Sequence, residues 1–352
     1  MKRLLCIILC LVMTVFTLAS CGEDVIGEFL ENYPEVDDTI EELTLNICII
    51  AGEGTTSIAK DTVRQKLTQY AKEDFNTILN FTFYTEAEYA EAVKSACKEG
   101  SKPRADIVLI NSAELANSLV NDGLLVDLTE FYKTNDYGTL NVDITPTILT
   151  AAKINDKLYT VPNNHVVGQF EYVMLKKSAV RALYYSDEQI AAIDTVEEID
   201  ALRTALATAF PSEDINTLIA VKNGGYAEIG ADSAYLYNVL KKPTVTAADA
   251  HAGAFAIVKG TKDANRCMEI IYAFNTDAEY KNTLQYGVEG ANYTIDAKTG
   301  VVTRVKTGES VYNMNNLYTG NAFIAYPCDE IGWSSADIAS GTLHNQNTVF
   351  EG

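Results

Sequence analysis

The sequence is poor in the residues that most enzyme chemistry uses. It has three histidines, His165, His251 and His344, and no two of them stand at helical metal spacing. HExxH is absent, which excludes the common helical zinc hydrolase site. There is no GxSxG elbow and no phosphate-binding P-loop. "GEGTTS", residues 52–57, lacks the third glycine of a dinucleotide fingerprint. The seven cysteines include no CxxC, so the familiar zinc and thioredoxin patterns are also excluded. Positive charge is scarce as well: 27 Lys and Arg stand against 48 Asp and Glu, a formal net charge of −21. Such a chain is repelled by nucleic acid and by anionic lipid headgroups. At this charge, carboxylate pairs such as those around Glu42 are too common to mark a glycosidase. The reading is of a protein that is not an enzyme, with no cofactor, no metal and no catalytic residues.

What is present begins with a leader. Met1-Lys2-Arg3 is basic, and residues 4–19 form an apolar run too short and wrongly flanked for a membrane span. It closes on Leu18-Ala19-Ser20-Cys21 and resembles a bacterial lipobox, which implies lipidation of Cys21. The competing readings are an ordinary signal peptide cut nearby, or an uncleaved anchor. Stable attachment takes more than one acyl chain, which a lipoprotein cysteine supplies. Residues 22–42 are acidic without a sustained period and read as a tether. Losing Lys2 and Arg3 with the leader takes the charge from −21 to −23. About 330 residues then remain, more than one core usually serves, so two lobes are expected. A 47% hydrophobic content is enough to fill them. Cys48, Cys97, Cys267 and Cys328 sit in strand or apolar-helix patterns and read as buried thiols, with a disulfide left open.

Strands and helices alternate along the first part. Leu43, Leu45, Ile47 and Ile49 alternate with a partner face that itself becomes apolar, as in a strand covered on both sides. A helical pattern follows to about Phe75, then a second strand through Leu79, Phe81 and Phe83. Thr85 with Glu88 forms a capping box, opening a helix with Tyr89, Val93, Ala96 and Cys97 inward. "ADIVLI" is a third strand, and Ser112 caps the helix after it. This βαβαβα order predicts a parallel sheet wrapped by helices, with ligands outside the carboxyl ends of its strands. Further on, "KLYTVPNN", "FEYVMLKK" and "AFAIVKG" read as strands. Thr195 with Glu198 opens one helix, residues 263–275 form another, and Thr276 with Glu279 caps a third that ends at Gly287. No fixed-period repeat is present.

Several of these stretches together resemble the extracellular solute-binding proteins of ABC importers, in the maltose-binding-protein-like group. They are "ADIVLINSAELANSLVNDGLLVDLTEFY", "KLYTVPNN", the segment from "FAIVKGTKDANRCMEIIYAFN" to "YGVEGANYTID", and "YTGNAFIAYP". The match runs through most of residues 43–347. It implies an α/β, two-lobed, periplasmic-binding-protein-like class II fold. The chain would cross between lobes near Tyr159–Asn163 and return near Ala254–Val258. The expected organisation is a leader (1–20), a tether (21–42), a first lobe (43–158 plus 255–290) and a second lobe (159–254 plus 291–352). The stretch from Pro162 to Phe255 is shorter than the family's second lobe. The chain also stops at Gly352, soon after "HNQN", where members continue into further helices, so a partial second lobe is expected.

The resemblance implies a monomeric subunit, lipid-anchored on the outer face of the membrane, that passes a solute to an ABC permease. A carbohydrate is the favoured solute. A peptide or amino acid is the alternative, as is a non-transport surface interaction on the same fold. Sugars present hydroxyls that suit amides and carboxylates, and C–H faces that suit flat rings. Glu53 and Asn111 follow strands, Asn163 and Asn164 lie at the crossing, and Tyr226 stands beside two glycines. Tyr318 and Asn321 belong to "YTGN", and Trp333 is the one tryptophan against 20 tyrosines. These eight are the candidate ligand-binding residues. Tyr286, Glu289 and Tyr293 read instead as packing and turn residues around "YGVEG".

Overall fold

The computed structural model describes residues 39–351. Cys21, the leader and most of the tether lie outside the described residues. The last tether residues are pinned to the folded body. Glu42 pairs with Lys72 at 2.6 Å, and the Asn76 side chain donates to the Ile40 carbonyl.

A five-stranded sheet forms the first lobe. Strand β1 (Leu43–Ile50) leads into α1 (Ser57–Phe75), β2 (Thr77–Tyr84), α2 (Glu86–Ala96), β3 (Ile107–Ile110) and α3 (Ala113–Asn121). Strands β1, β2 and β3 run parallel, with Ile47 opposite both Phe81 and Ile107. β1 ends in four consecutive buried residues and β3 is buried throughout, which is why both faces read as apolar. The helices turn Val63, Leu67 and Ala71, then Tyr89 and Val93, then Leu115 and Leu119, onto the sheet.

The sheet is not wholly parallel. The crossing strand β4 (Val161–Pro162) lies at the edge, where a proline without an N–H costs no ladder bond. The chain then leaves for the second lobe through β5 (Phe170–Lys176), α4 (Val196–Ala209), β6 (Ile219–Gly224) and β7 (Tyr235–Lys241). It returns as β8 (Ala254–Ile257), antiparallel to both β3 and β4, with Phe255 opposite Leu109 and Val161. The long excursion lets β8 enter from the opposite end, so the parallel rule for short crossovers does not govern it. Helices α5 (Ala264–Thr276) and α6 (Ala278–Tyr286) then cover the sheet. Cys267, Ile270, Ile271 and Phe274 are fully buried, as their helical spacing predicts.

The second lobe is small. β5 is the centre of an antiparallel three-stranded sheet, flanked by β6 and β7. Ile199, Leu202 and Leu206 of α4 close a core with Val173, Leu175, Val180 and Ile219, separate from the core of the first lobe. A third cluster gathers Tyr286, Tyr293, Val302, Ala325 and Cys328, with Trp333 packed against it. Helix α7 (Ser335–Gln346) ties the lobes together: Asn345 bonds the His165 carbonyl and the Val167 amide, and Thr348 meets Thr147.

Candidate functional site

The carboxyl ends of β1 and β2 open into a cavity of about 720 Å³. Its floor is the turn of residues 51–55 after β1. Its near wall is Phe83 to Glu88, where β2 passes into α2, and Asn315 and Tyr318 form the far wall. Gly52 is needed here because a Cβ would stand 2.7 Å from the Asn313 carbonyl oxygen, which the Gly52 amide bonds at 2.8 Å. The Thr55 hydroxyl donates to the same carbonyl, and the Asn313 side chain donates to the Glu53 carbonyl. The turn is thus fastened to the segment that carries the far wall.

Glu86 is the centre of the site. Asn111 Nδ2 donates to its Oε1 at 2.8 Å, and the Tyr318 hydroxyl reaches Oε1 and Oε2 at 3.1 and 3.2 Å. Two neutral donors, from the tip of β3 and from residue 318, therefore fix the carboxylate in orientation. Its remaining lone pairs are free to accept from a guest. Burial, and next the Glu86 charge, push the Tyr318 phenol up to about 12, so it stays a donor across the physiological range. Tyr84 is likewise pushed up to about 12, first by burial and then by Cys48. Glu88 is occupied in capping, with Oε1 accepting from the Thr85 amide at 2.9 Å. The Lys60 ammonium lies 5.6 Å from the Phe83 ring centre. Rings, carboxylates and hydroxyl donors in one hollow can hold a polyhydroxylated guest by its edges and its faces.

No family model matches the chain, and no curated protein matches it. Among solved structures, the N-glycan transport solute binding protein (NgtS) of Streptococcus pneumoniae superposes with a TM-score of 0.57 at 15% identity. The match spans 88% of this chain and 84% of that one. The same protein in complex with Man1GlcNAc gives 0.56 at 14% identity over the same shares. Its complex with Man5GlcNAc gives 0.55 at 15%, over 88% and 83%. This chain has the two-lobed solute-binding fold. At such identity the likeness is one of fold alone.

Within the solute-binding fold, the structure brings Glu53, Asn111 and Tyr318 together around the cavity. Glu53 and Tyr318 line it, and Asn111 enters through Glu86. The other candidates lie elsewhere. Asn163 is buried and donates to the Leu317 carbonyl, and Asn164 donates to the Asp143 carbonyl. Asn321 donates to the Asn275 carbonyl and caps the Phe323 amide. All three amides join main-chain segments distant in sequence. Tyr226 is exposed, with its ring 6.0 Å from Phe170 and its amide donating to His344 Nδ1. Trp333 stacks on Phe323 at 5.9 Å and donates to the Ala322 carbonyl.

The residue that sequence reasoning missed is Glu86. It stands in the first turn of α2 beside a capping box, where an acid is ordinary dipole compensation. The available signal was its position two residues past the end of β2, the same argument that selected Glu53 and Asn111. The four cysteines 48, 97, 267 and 328 are free and buried, and burial pushes the Cys48, Cys97 and Cys267 thiols up to about 11, 12 and 12. Among the described residues, no group of three or more His, Cys, Asp or Glu could hold a metal ion.

Proposed function

We propose that the chain is the solute-binding subunit of an ABC importer and that it captures a carbohydrate at the tips of β1, β2 and β3. The observation that carries this reading is the Glu86 carboxylate, oriented by Asn111 and Tyr318 at the wall of a cavity of about 720 Å³. An acceptor held by neutral donors suits a diol, and Phe83, Tyr84 and Tyr318 offer faces for sugar C–H groups. Two of the three named solved structures that share the fold are complexes, with Man1GlcNAc and with Man5GlcNAc. A solute touching both lobes would favour a closed form, which the permease would then recognise. Cys21 would carry the lipid that keeps the protein on the outer face of the membrane.

The test is calorimetric titration of the purified protein with mannose–GlcNAc oligosaccharides, alongside peptides of similar size. Oligosaccharide binding that falls at least about tenfold in Glu86→Ala, or about 1.4 kcal/mol, supports the reading. Binding of peptides alone, or of neither class, sinks it.

A further inference from the structure

Helix α6 is unusual in being buried on every side from Tyr280 to Tyr286 while carrying polar residues. Lys281, Asn282, Thr283 and Gln285 are all hidden from solvent. The segment at residues 312–326 lies against the helix and meets those groups. Asn282 donates to the Ile324 carbonyl and accepts from the Tyr326 amide, and Gln285 donates to the Met314 carbonyl.

Lys281 is the extreme case. Its ammonium is fully buried, and among the described residues it has no carboxylate partner. Its neighbours are oxygens: Thr319 Oγ1 at 2.5 Å, Asn316 Oδ1 at 3.1 Å, the Asn316 carbonyl at 3.2 Å, and the Gly320 carbonyl and Gln285 Oε1 at 3.4 Å. Four of these five atoms belong to residues 316–320, the turn whose middle residue is Tyr318. Burial alone pushes this lysine well below its ordinary range. Opposing that, an ammonium offers three N–H donors to the ring of acceptors where a neutral amine offers two.

The same turn is braced from the other side. Asn163 Nδ2 donates to the Leu317 carbonyl, and a Cβ on Gly253 would stand 1.9 Å from that oxygen. A Cβ on Gly320 would stand 2.0 Å from the Phe274 carbonyl oxygen. The turn therefore has one seat, and Lys281 holds it from the side of α6 through four of its oxygens.

We infer that Lys281 is a positioning residue for solute binding: its ammonium gathers the oxygens of residues 316–320 and so presents the Tyr318 hydroxyl to Glu86. The inference rests on the reading of the cavity as the solute site. Lys281 touches no solute and acts through Tyr318.

The test joins a ligand readout to a ligand-free one on the full chain. Calorimetry with a mannose–GlcNAc oligosaccharide is run on wild type, Lys281→Met, Tyr318→Phe and the double variant. Lys281→Met is expected to weaken binding about tenfold in the wild-type background and less than about twofold when Tyr318 is already Phe. A purely structural lysine would cost the same in both backgrounds. In parallel, the Tyr318 ring signals are compared at pH 7 by NMR of ring-labelled tyrosine. They are expected to move in Lys281→Met as the ring leaves Glu86. Should Lys281→Met fail to fold, Thr319→Val, which removes the shortest Lys281 contact together with the hydroxyl's bonds to Gln285 and the Asn316 carbonyl, is held to the same two outcomes. Unchanged affinity with unchanged Tyr318 ring signals overturns the inference. If wild type binds no oligosaccharide, the carbohydrate reading falls, and the Tyr318 ring signals still decide the role of Lys281.

Discussion

At the scale of single residues, His344 shows how one tautomer can join three segments. Its Nδ1 accepts from the Tyr226 amide at 3.2 Å, so the ring proton sits on Nε2 and is donated to the Val167 carbonyl at 2.9 Å. Protonating Nδ1 would set two N–H groups against each other. Burial holds the ring below its ordinary value of 6.5. The sign follows: the unfolded chain takes up this proton more readily, so the stability tied to neutral His344 is complete above pH 6.5 and is lost as pH falls through the lower folded value. Wild type is therefore expected to lose more melting temperature than His344→Gln between pH 7 and pH 5, measured by calorimetry in one buffer series. Equal losses would remove His344 as the cause. His165 and His251 are also lowered by burial and stay in both proteins, so the difference isolates His344.

At the scale of elements, what was legible in the sequence was local. β1 and β2 fall where alternation placed them, and the Thr85–Glu88 and Thr195–Glu198 boxes both form. One cap moved by a residue. Asp277, rather than Thr276, caps α6, because its carboxylate accepts from the amides of Glu279 and Tyr280, while Thr276 bonds back to the Tyr272 carbonyl. The direction of β8 and the burial of Asn163, Asn164 and Asn321 were not legible. An amide looks solvent-facing until its partner arrives, and the Leu317 carbonyl reaches Asn163 from 154 residues away. Such a meeting leaves no local pattern. Gly253 belongs to the same junction. Gly253→Ala is expected to cost about 1–3 kcal/mol in denaturant titration, because the methyl would press on the Leu317 carbonyl and Cβ. The variant should also weaken solute binding, since Tyr318 is the next residue. Wild-type stability in Gly253→Ala would show that the turn can shift.

At the scale of the whole molecule, two cores of unequal size are joined by the crossing residues, by α7 and by the last strand pairing, Thr244–Val245 with Val349–Phe350. Chain length made two lobes legible, while the alternation of strands and helices made legible the parallel part of the larger one and pointed to its strand tips as the candidate site. The strand order of the smaller lobe was harder to see, because β5 sits between β6 and β7, which do not pair with each other. A solute bridging both lobes is expected to reduce the radius of gyration in small-angle scattering relative to the solute-free protein. A bound solute with an unchanged radius would place recognition on the larger lobe alone.

The pinning of Glu42 and Ile40 fixes an orientation. Both contacts sit at the amino end of β1, while the cavity opens past Ile50 at the other end. Eight residues of strand separate them, roughly 25 Å at the usual rise. The described chain therefore enters the fold at the end of the sheet opposite the cavity mouth, so a change at the Glu42 and Ile40 contacts leaves the lining of the mouth untouched.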